Sequence, residues 1–167
     1  MRNRTSIGET SLCVLTHADL ALFTEWICKD YIRKWLGDPE EWIAELANET
    51  GEFDYLRHFI AMHNGTPIGY CHYYECDKTP RGYDWDDEPP GTFAIGYFIG
   101  EEAYLGKGFG DAIVQLICGQ VIAAERPVRL VADPMPENAV SIGLLVKHGF
   151  SLDAATGLYK RDVVAEE

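Results

Sequence analysis

Phe93-Ala94-Ile95-Gly96-Tyr97-Phe98-Ile99-Gly100 is an apolar run, and Leu105-Gly106-Lys107-Gly108-Phe109-Gly110 follows it closely. The chain then continues as Asp111-Ala112-Ile113-Val114-Gln115-Leu116-Ile117-Cys118. The order is a strand, a glycine-dense turn and the start of a helix. Glycine lets the backbone take φ > 0 and approach a ligand closely. A helix start presents unpaired N–H groups and a partial positive charge. Together these features suit a phosphate or pyrophosphate; a tight loop without a ligand has the same composition. The turn lacks the GxxxxGK[ST] spacing of a P-loop. It also sits too late in the chain for a dinucleotide fingerprint, which opens a βαβ unit.

Working outward, residues 127–132 read as another buried strand, 136–148 as a helix, and 150–153 with 158–164 as a terminal strand pair. Towards the N-terminus, residues 11–15 read as a short strand and 17–29 as a helix with Thr16 as its N-cap. Leu20, Phe23, Trp26 and Ile27 recur there at helical spacing. A second helix begins after Gly37-Asp38-Pro39, with Asp38 as cap and Pro39 in the first turn. Residues 57–63 and 68–74 flank Asn64-Gly65-Thr66-Pro67, a hairpin signal. An acidic loop spans residues 77–91. The order β-α-α-β-β-β-α-β-α-β-β predicts one α/β (α+β) domain over residues 1–167.

The formal net charge of −13 argues against a nucleic-acid binder, which needs a basic footprint. It is compatible with a cationic substrate as well as with plain solubility charge. No apolar run approaches the roughly 20 residues that span a bilayer, and the first residues lack the apolar stretch of a signal peptide. A cytoplasmic location and no membrane partner are expected. Cys13, Cys28, Cys71, Cys76 and Cys118 form no CxxC pair, so free and mostly buried thiols are expected. Cys71 and His72 would point to opposite faces of a strand, and no metal is expected.

A second motif lies downstream: Asn138-Ala139-Val140-Ser141-Ile142-Gly143-Leu144-Leu145-Val146-Lys147-His148-Gly149-Phe150. With the glycine turn, it resembles the GNAT superfamily of acetyl-CoA-dependent N-acetyltransferases, whose patterns are [QR]xxGx[GA] and N-x-x-[AS]-x-x-x-[YL]-x-K-x-G-F. The resemblance runs from about Leu12 to Val164. Within the superfamily the chain looks most like the aminoglycoside 6'-N-acetyltransferases. Residues 60–70, Trp85-Asp86-Asp87-Glu88-Pro89-Pro90-Gly91, Tyr104-Leu105-Gly106-Lys107-Gly108 and Asp133-Pro134-Met135-Pro136-Glu137-Asn138 carry that likeness. It implies a GNAT-like acyl-CoA N-acyltransferase fold, with a central, mixed, mostly antiparallel sheet flanked by helices.

The resemblance also implies a site. The family's fourth and fifth strands splay, and the pantetheine arm of acetyl-CoA pairs with the backbone at Tyr97, Phe98 and Ile99. The pyrophosphate rests on the N–H groups of Gly106, Lys107, Gly108, Phe109, Gly110 and Asp111. Lys107 adds charge near a phosphate or is simply solvated. Asn138 contacts the pantetheine, caps the last helix, or both.

The chemistry implied is attack of a primary amine on the thioester, which needs a proton acceptor and an oxyanion donor. The chain departs from the family at both usual acid–base positions. Gly96 stands where the aminoglycoside branch has Asp, and Leu145 where many members have Tyr. As substitutes, His72 suits proton removal, with a structural histidine as the other reading. Asp133 suits holding the ammonium and passing on its proton, with a turn residue before proline as the other. Tyr159 is a possible acid or a packing residue. The loop Tyr83-Asp84-Trp85-Asp86-Asp87-Glu88 sets four carboxylates around two aromatics; Trp85, Asp86, Asp87 and Glu88, with Asp133, would receive a polycation, the indole by stacking or cation–π contact, or the loop is a solvated acidic one. Trp35 and Trp42 flank the same cleft or belong to the core. The expectation is an N-acetyltransferase for a small cationic, aminoglycoside-like amine, as a monomer or homodimer. An acyltransferase of siderophore or hydroxamate precursors and a CoA-binding module without turnover are the alternatives.

Overall fold

The computed structural model describes residues 5–7, 9–47 and 51–164; residues 1–4 of the polar N-terminal stretch lie outside them. The chain runs β1 (Thr5–Ile7), β2 (Thr10–Val14), α1 (Leu20–Ile27), α2 (Asp30–Leu36), α3 (Pro39–Ala47), β3 (Arg57–His63) and β4 (Thr66–Glu75). It continues through β5 (Thr92–Ile99), α4 (Phe109–Glu125), β6 (Arg129–Ala132), α5 (Ala139–Lys147), β7 (Ser151–Leu152) and β8 (Tyr159–Asp162). The strands form one sheet in the order β1-β2-β3-β4-β5-β6-β8-β7. Every adjacent pair is antiparallel except β5 with β6, which is parallel and joined through α4.

Strand alternation sorts β4 into two cores. Cys71 and Tyr73 join Leu12, Phe59 and Ile95 beneath α4, through Ile113, Leu116 and Ile117. Tyr70 joins Ile60 on the opposite face, against Phe23, Trp26 and Ile27 of α1 and Leu46 of α3. Phe23, Trp26 and Ile27 are fully buried, and each such side chain contributes about 1.5–3 kcal/mol relative to exposure. His72 therefore faces α1–α3, and Cys71 faces α4. All five cysteines are free, and only Cys28 is exposed.

The hairpin between β3 and β4 is tighter than the sequence reading. Asn64 and Gly65 have φ 50° and 79°, so two residues make the turn and Thr66 already pairs with His63. Helix α2 and strand β1 are additions to the predicted order. Lys29, at ψ 137°, separates α1 from α2 without a glycine or proline to mark the break. Residues 17–19 form a 3-10 turn in which the Asp19 carboxylate accepts the Thr16 N–H. Helix α5 starts at Ala139, later than predicted, because Asn138 caps it. No helix among the described residues is long and apolar enough to cross a membrane.

Candidate active site

Strand β6 pairs with β5 only along Thr92–Arg129, Phe93–Leu130 and Ala94–Val131. Beyond Ala94 the two strands part, and β5 continues alone on that side to Ile99. Gly100 donates its N–H to Ile68 O across the β4 edge. By the alternation of an antiparallel pair, the N–H and C=O groups of Ile95, Tyr97 and Ile99 then point away from β4, into the gap. The gap opens into a cavity of about 470 Å³ walled by β5, α2, α5 and the segment after β6.

Tyr97, Phe98, Ile99, Gly110 and Asn138, all expected to hold the cofactor, line this cavity. Tyr97 is fixed by its hydroxyl, 2.6 Å from Ser141 Oγ on α5, and burial pushes its phenol up to about 12. Asn138 Oδ1 accepts the Ser141 N–H at 3.3 Å, so it serves as the helix cap while lining the cleft. The Ile99 carbonyl is already engaged, because Tyr31 donates its hydroxyl to both Ile99 O and Gly100 O at 2.9 Å. Lys29 Nζ donates to the same Gly100 O at 2.8 Å. Burial, Glu102 and Glu101 push Tyr31 up to about 12, so it stays a donor at neutral pH.

The turn that follows suits a phosphate. Gly106 and Gly108 adopt φ 70° and 88°, with open space where a Cβ would stand. Gly108 caps α4, whose first N–H groups have no partner within the helix. Lys107 is exposed beside them. Two of the expected cradle residues direct their side chains elsewhere. Phe109 packs on His63 and Tyr104, with ring centroids 4.7 and 5.0 Å away. The Asp111 carboxylate bridges Lys147 at 2.9 Å and His148 at 2.8 Å, and these bonds hold it below its ordinary range. Their backbone N–H groups remain the part relevant to an anion.

On the acceptor side, Asp133 follows β6 and lines the cavity mouth. Partial burial, then the negative charge of Asp84, raise its carboxyl above the ordinary range. The loop over β4–β6 is built by the other expected residues. The Trp85 indole donates to Thr79 Oγ1 at 2.8 Å and stacks on Tyr83 at 4.8 Å. Asp86 accepts the Gly82 N–H at 2.6 Å. Glu88 is enclosed by Lys160 and by Arg129, the latter at 2.7 Å. Burial raises its carboxyl, but the bonds from Lys160 and Arg129 outweigh this and lower it overall. Trp85, Asp86 and Glu88 thus anchor the loop, and Asp87 is exposed. Asp84, another carboxylate of the same loop, acts on Asp133 through its negative charge.

His72 lies one strand behind the cavity wall and is 7% exposed. Its ring is tilted against Trp42 at 5.3 Å and Tyr74 at 5.7 Å. Its Nδ1 is 3.0 Å from the Tyr70 hydroxyl, which is 2.5 Å from His58 Nδ1. A Cβ on Gly96 would stand 2.6 Å from His72 Nε2. The imidazole therefore fills the space that a side chain at position 96 would need. Leu145 is fully buried in the α4 core, and Tyr159 pairs with Leu152 and Ala132 across the terminal strands. Trp35, with Tyr31, lines the cavity from α2, while Trp42 covers His72. The i, i+4 spacing of Tyr31 with Trp35 and of Ile32 with Leu36 is the sequence signal for that helix. Among the described residues, no group of three or more His, Cys, Asp or Glu is placed to hold a metal ion.

A family model described as "Acetyltransferase (GNAT) domain" matches residues 16–157. Aminoglycoside N(6')-acetyltransferase type 1 from Klebsiella pneumoniae is 30% identical over 153 residues, covering 87% of this chain and 75% of the relative. The enzyme of the same name from Serratia marcescens gives the same figures. The crystal structure of AAC(6')-Ib with coenzyme A superposes with a TM-score of 0.81 at 25% identity, covering 92% of this chain and 94% of that one. The complex with paromomycin and acetyl-CoA gives a TM-score of 0.80 at 25% identity, with 93% and 94% covered. These matches make the protein an acetyl-CoA-dependent N-acetyltransferase, and the chain belongs to the GNAT acetyltransferase family.

Proposed function

We propose that this protein moves an acetyl group from acetyl-CoA to a primary amine of a small, polycationic, aminoglycoside-like acceptor. The observation that carries this reading is Asp133, which lines the β5–β6 cleft with its carboxyl raised by partial burial and then by the negative charge of Asp84. A carboxylate there attracts an ammonium group. An ion pair at about 4 Å is worth about 1 kcal/mol in bulk water and about 4 kcal/mol at an effective dielectric of 20.

The Tyr97 edge of β5 and the N–H groups from Gly106 to Asp111 hold the cofactor, with Lys107 beside its phosphates. Backbone N–H groups of β5 that face the gap supply donors for the oxyanion. Asp133 holds the ammonium and accepts its proton, directly or through one water. Its raised carboxyl makes it a better proton acceptor than an ordinary aspartate. His72 completes the site from behind Gly96. Asp87 and the exposed face of the loop contribute further negative charge to the approaching acceptor.

Release of free CoA thiol, measured over a panel of aminoglycosides, polyamines and N-hydroxylated diamines, tests this proposal. Turnover is expected with aminoglycosides and is expected to collapse in Asp133→Asn with acetyl-CoA affinity retained. Saturable acetyl-CoA binding without thiol release across the panel overturns it.

A further inference from the structure

The cluster His58, Tyr70 and His72 is the least expected polar feature of the fold. It sits in the α1–α3 core, where apolar side chains are the rule. Tyr70 is fully buried, with its single hydroxyl between two imidazole Nδ1 atoms. A hydroxyl carries one proton, so it donates to one ring and accepts from the other.

Two arrangements satisfy that constraint with both rings neutral. In the first, Tyr70 donates to His58 Nδ1, and His58 carries its own proton on Nε2. Among the described residues His58 Nε2 is buried without a partner, so this leaves an N–H with no acceptor there. In the second, His58 donates its Nδ1–H to Tyr70 and keeps a bare Nε2, while Tyr70 donates to His72 Nδ1. Orphaned buried N–H groups are the rarer and costlier defect, which selects the second arrangement. His72 then carries its proton on Nε2.

Neutral rings are favoured at both positions. Burial, with the charge of Arg57, pushes His58 down to about 4; burial, then His58, pushes His72 down to about 3. Glu45 of α3 is the carboxylate that acts on Tyr70, whose phenol is raised chiefly by burial. Trp42 and Tyr74 flank the His72 ring and hold its plane. Nε2 points at Gly96, which lines the cavity and has no side chain to cover it.

We propose that His58 and Tyr70 are positioning residues that hold His72 as the neutral Nε2–H tautomer, so that His72 acts on the cleft as a hydrogen-bond donor to an oxygen of the bound acceptor and not as its base. This rests on the cleft being the acetyl-transfer site, and it leaves the proton of the ammonium to Asp133.

Long-range proton–nitrogen correlation spectra of the full chain labelled with 15N-histidine read the tautomer at pH 7 without any acceptor. Assignment uses His58→Phe and His72→Phe. His72 is expected to show a protonated Nε2 and a bare Nδ1; a protonated Nδ1, or an imidazolium, overturns the proposal. In Tyr70→Phe the His72 signals are expected to become a tautomer mixture; unchanged signals overturn the positioning role. If Tyr70→Phe does not fold, the wild-type spectrum still decides. For turnover, His72→Gln keeps an amide donor and is expected to stay within about 10-fold of wild type, whereas His72→Phe is expected to lose at least about 100-fold. Equal losses in the two overturn the donor role. A wild type inactive on every amine would sink the transferase reading and leave the tautomer measurement standing.

Discussion

Replacing Gly96 with alanine tests whether its missing side chain is the reason His72 fits. A Cβ at that position would lie 2.6 Å from His72 Nε2 and 2.8 Å from Cε1. Real Cβ contacts essentially never fall below about 3 Å, so the ring must move. It has little freedom, because Tyr70 bonds its Nδ1 and Trp42 and Tyr74 flank its faces. Overpacking a built core costs about 1–3 kcal/mol. Gly96 has no positive φ, so alanine returns about 0.4–1 kcal/mol by restricting the unfolded chain. The net expectation is a destabilisation of about 1–2 kcal/mol, or a fall of several degrees in Tm for a chain of this length. Urea unfolding of Gly96→Ala, His72→Ala and the double variant forms a cycle. The double variant is expected to be more stable than the sum of the single losses by at least about 0.5 kcal/mol. A Gly96→Ala protein as stable as wild type, or additive losses, would refute the claim that His72 occupies the space of residue 96.

Asp133→Asn is expected to lower kcat by about 100-fold or more while isothermal titration shows acetyl-CoA binding unchanged. In wild type, activity is expected to rise with pH as Asp133 ionises, on a limb above the ordinary aspartate range because its carboxyl is raised. A limb at the ordinary position would count against Asp133 as the base. Gly108→Val forces a β-branched residue into φ 88°, at a cost of about 1–2 kcal/mol, and is expected to weaken acetyl-CoA binding more than stability. Glu88→Gln removes the anchor shared by Arg129 and Lys160 and is expected to cost about 1.5–3 kcal/mol in urea unfolding. Glu88 is lowered in the fold, so its contribution is full above its unfolded value near 4.5 and is lost as pH falls through the lower folded value. The Gln variant is expected to lack that acid-dependent fall.

Much of the proposed cofactor half of the site is legible in the residues themselves, because its determinants are local. A strand, glycines at fixed spacing and a helix start lie within one stretch, and their backbone geometry makes the cradle. The expected splay is a consequence of β6 ending early against β5. The acceptor half is less legible. Carboxylates near one another in sequence serve different ends: Glu88 closes an ion-pair cluster with Lys160, and Asp86 ties the loop to Gly82. Asp84 instead acts on Asp133 through its charge. Helix α2 escaped detection because Lys29 breaks the chain direction without Gly or Pro, and with it Tyr31 was missed as the clamp on Ile99 and Gly100.

The sequence by itself determined the family, the order of most elements, the glycine turn before α4 and the residues, Gly96 and Leu145, that stand where the resemblance puts the two usual acid–base side chains. Periodicity, glycine and capping signals act over a few residues, so they survive without knowledge of the fold. Only the tertiary structure decided that the gap at Gly96 is filled by His72 from the neighbouring strand, and that Tyr70 ties His72 to His58. Those contacts join β3, β4 and β5 through strand register and burial, and no local pattern encodes which side chain will occupy the space another leaves.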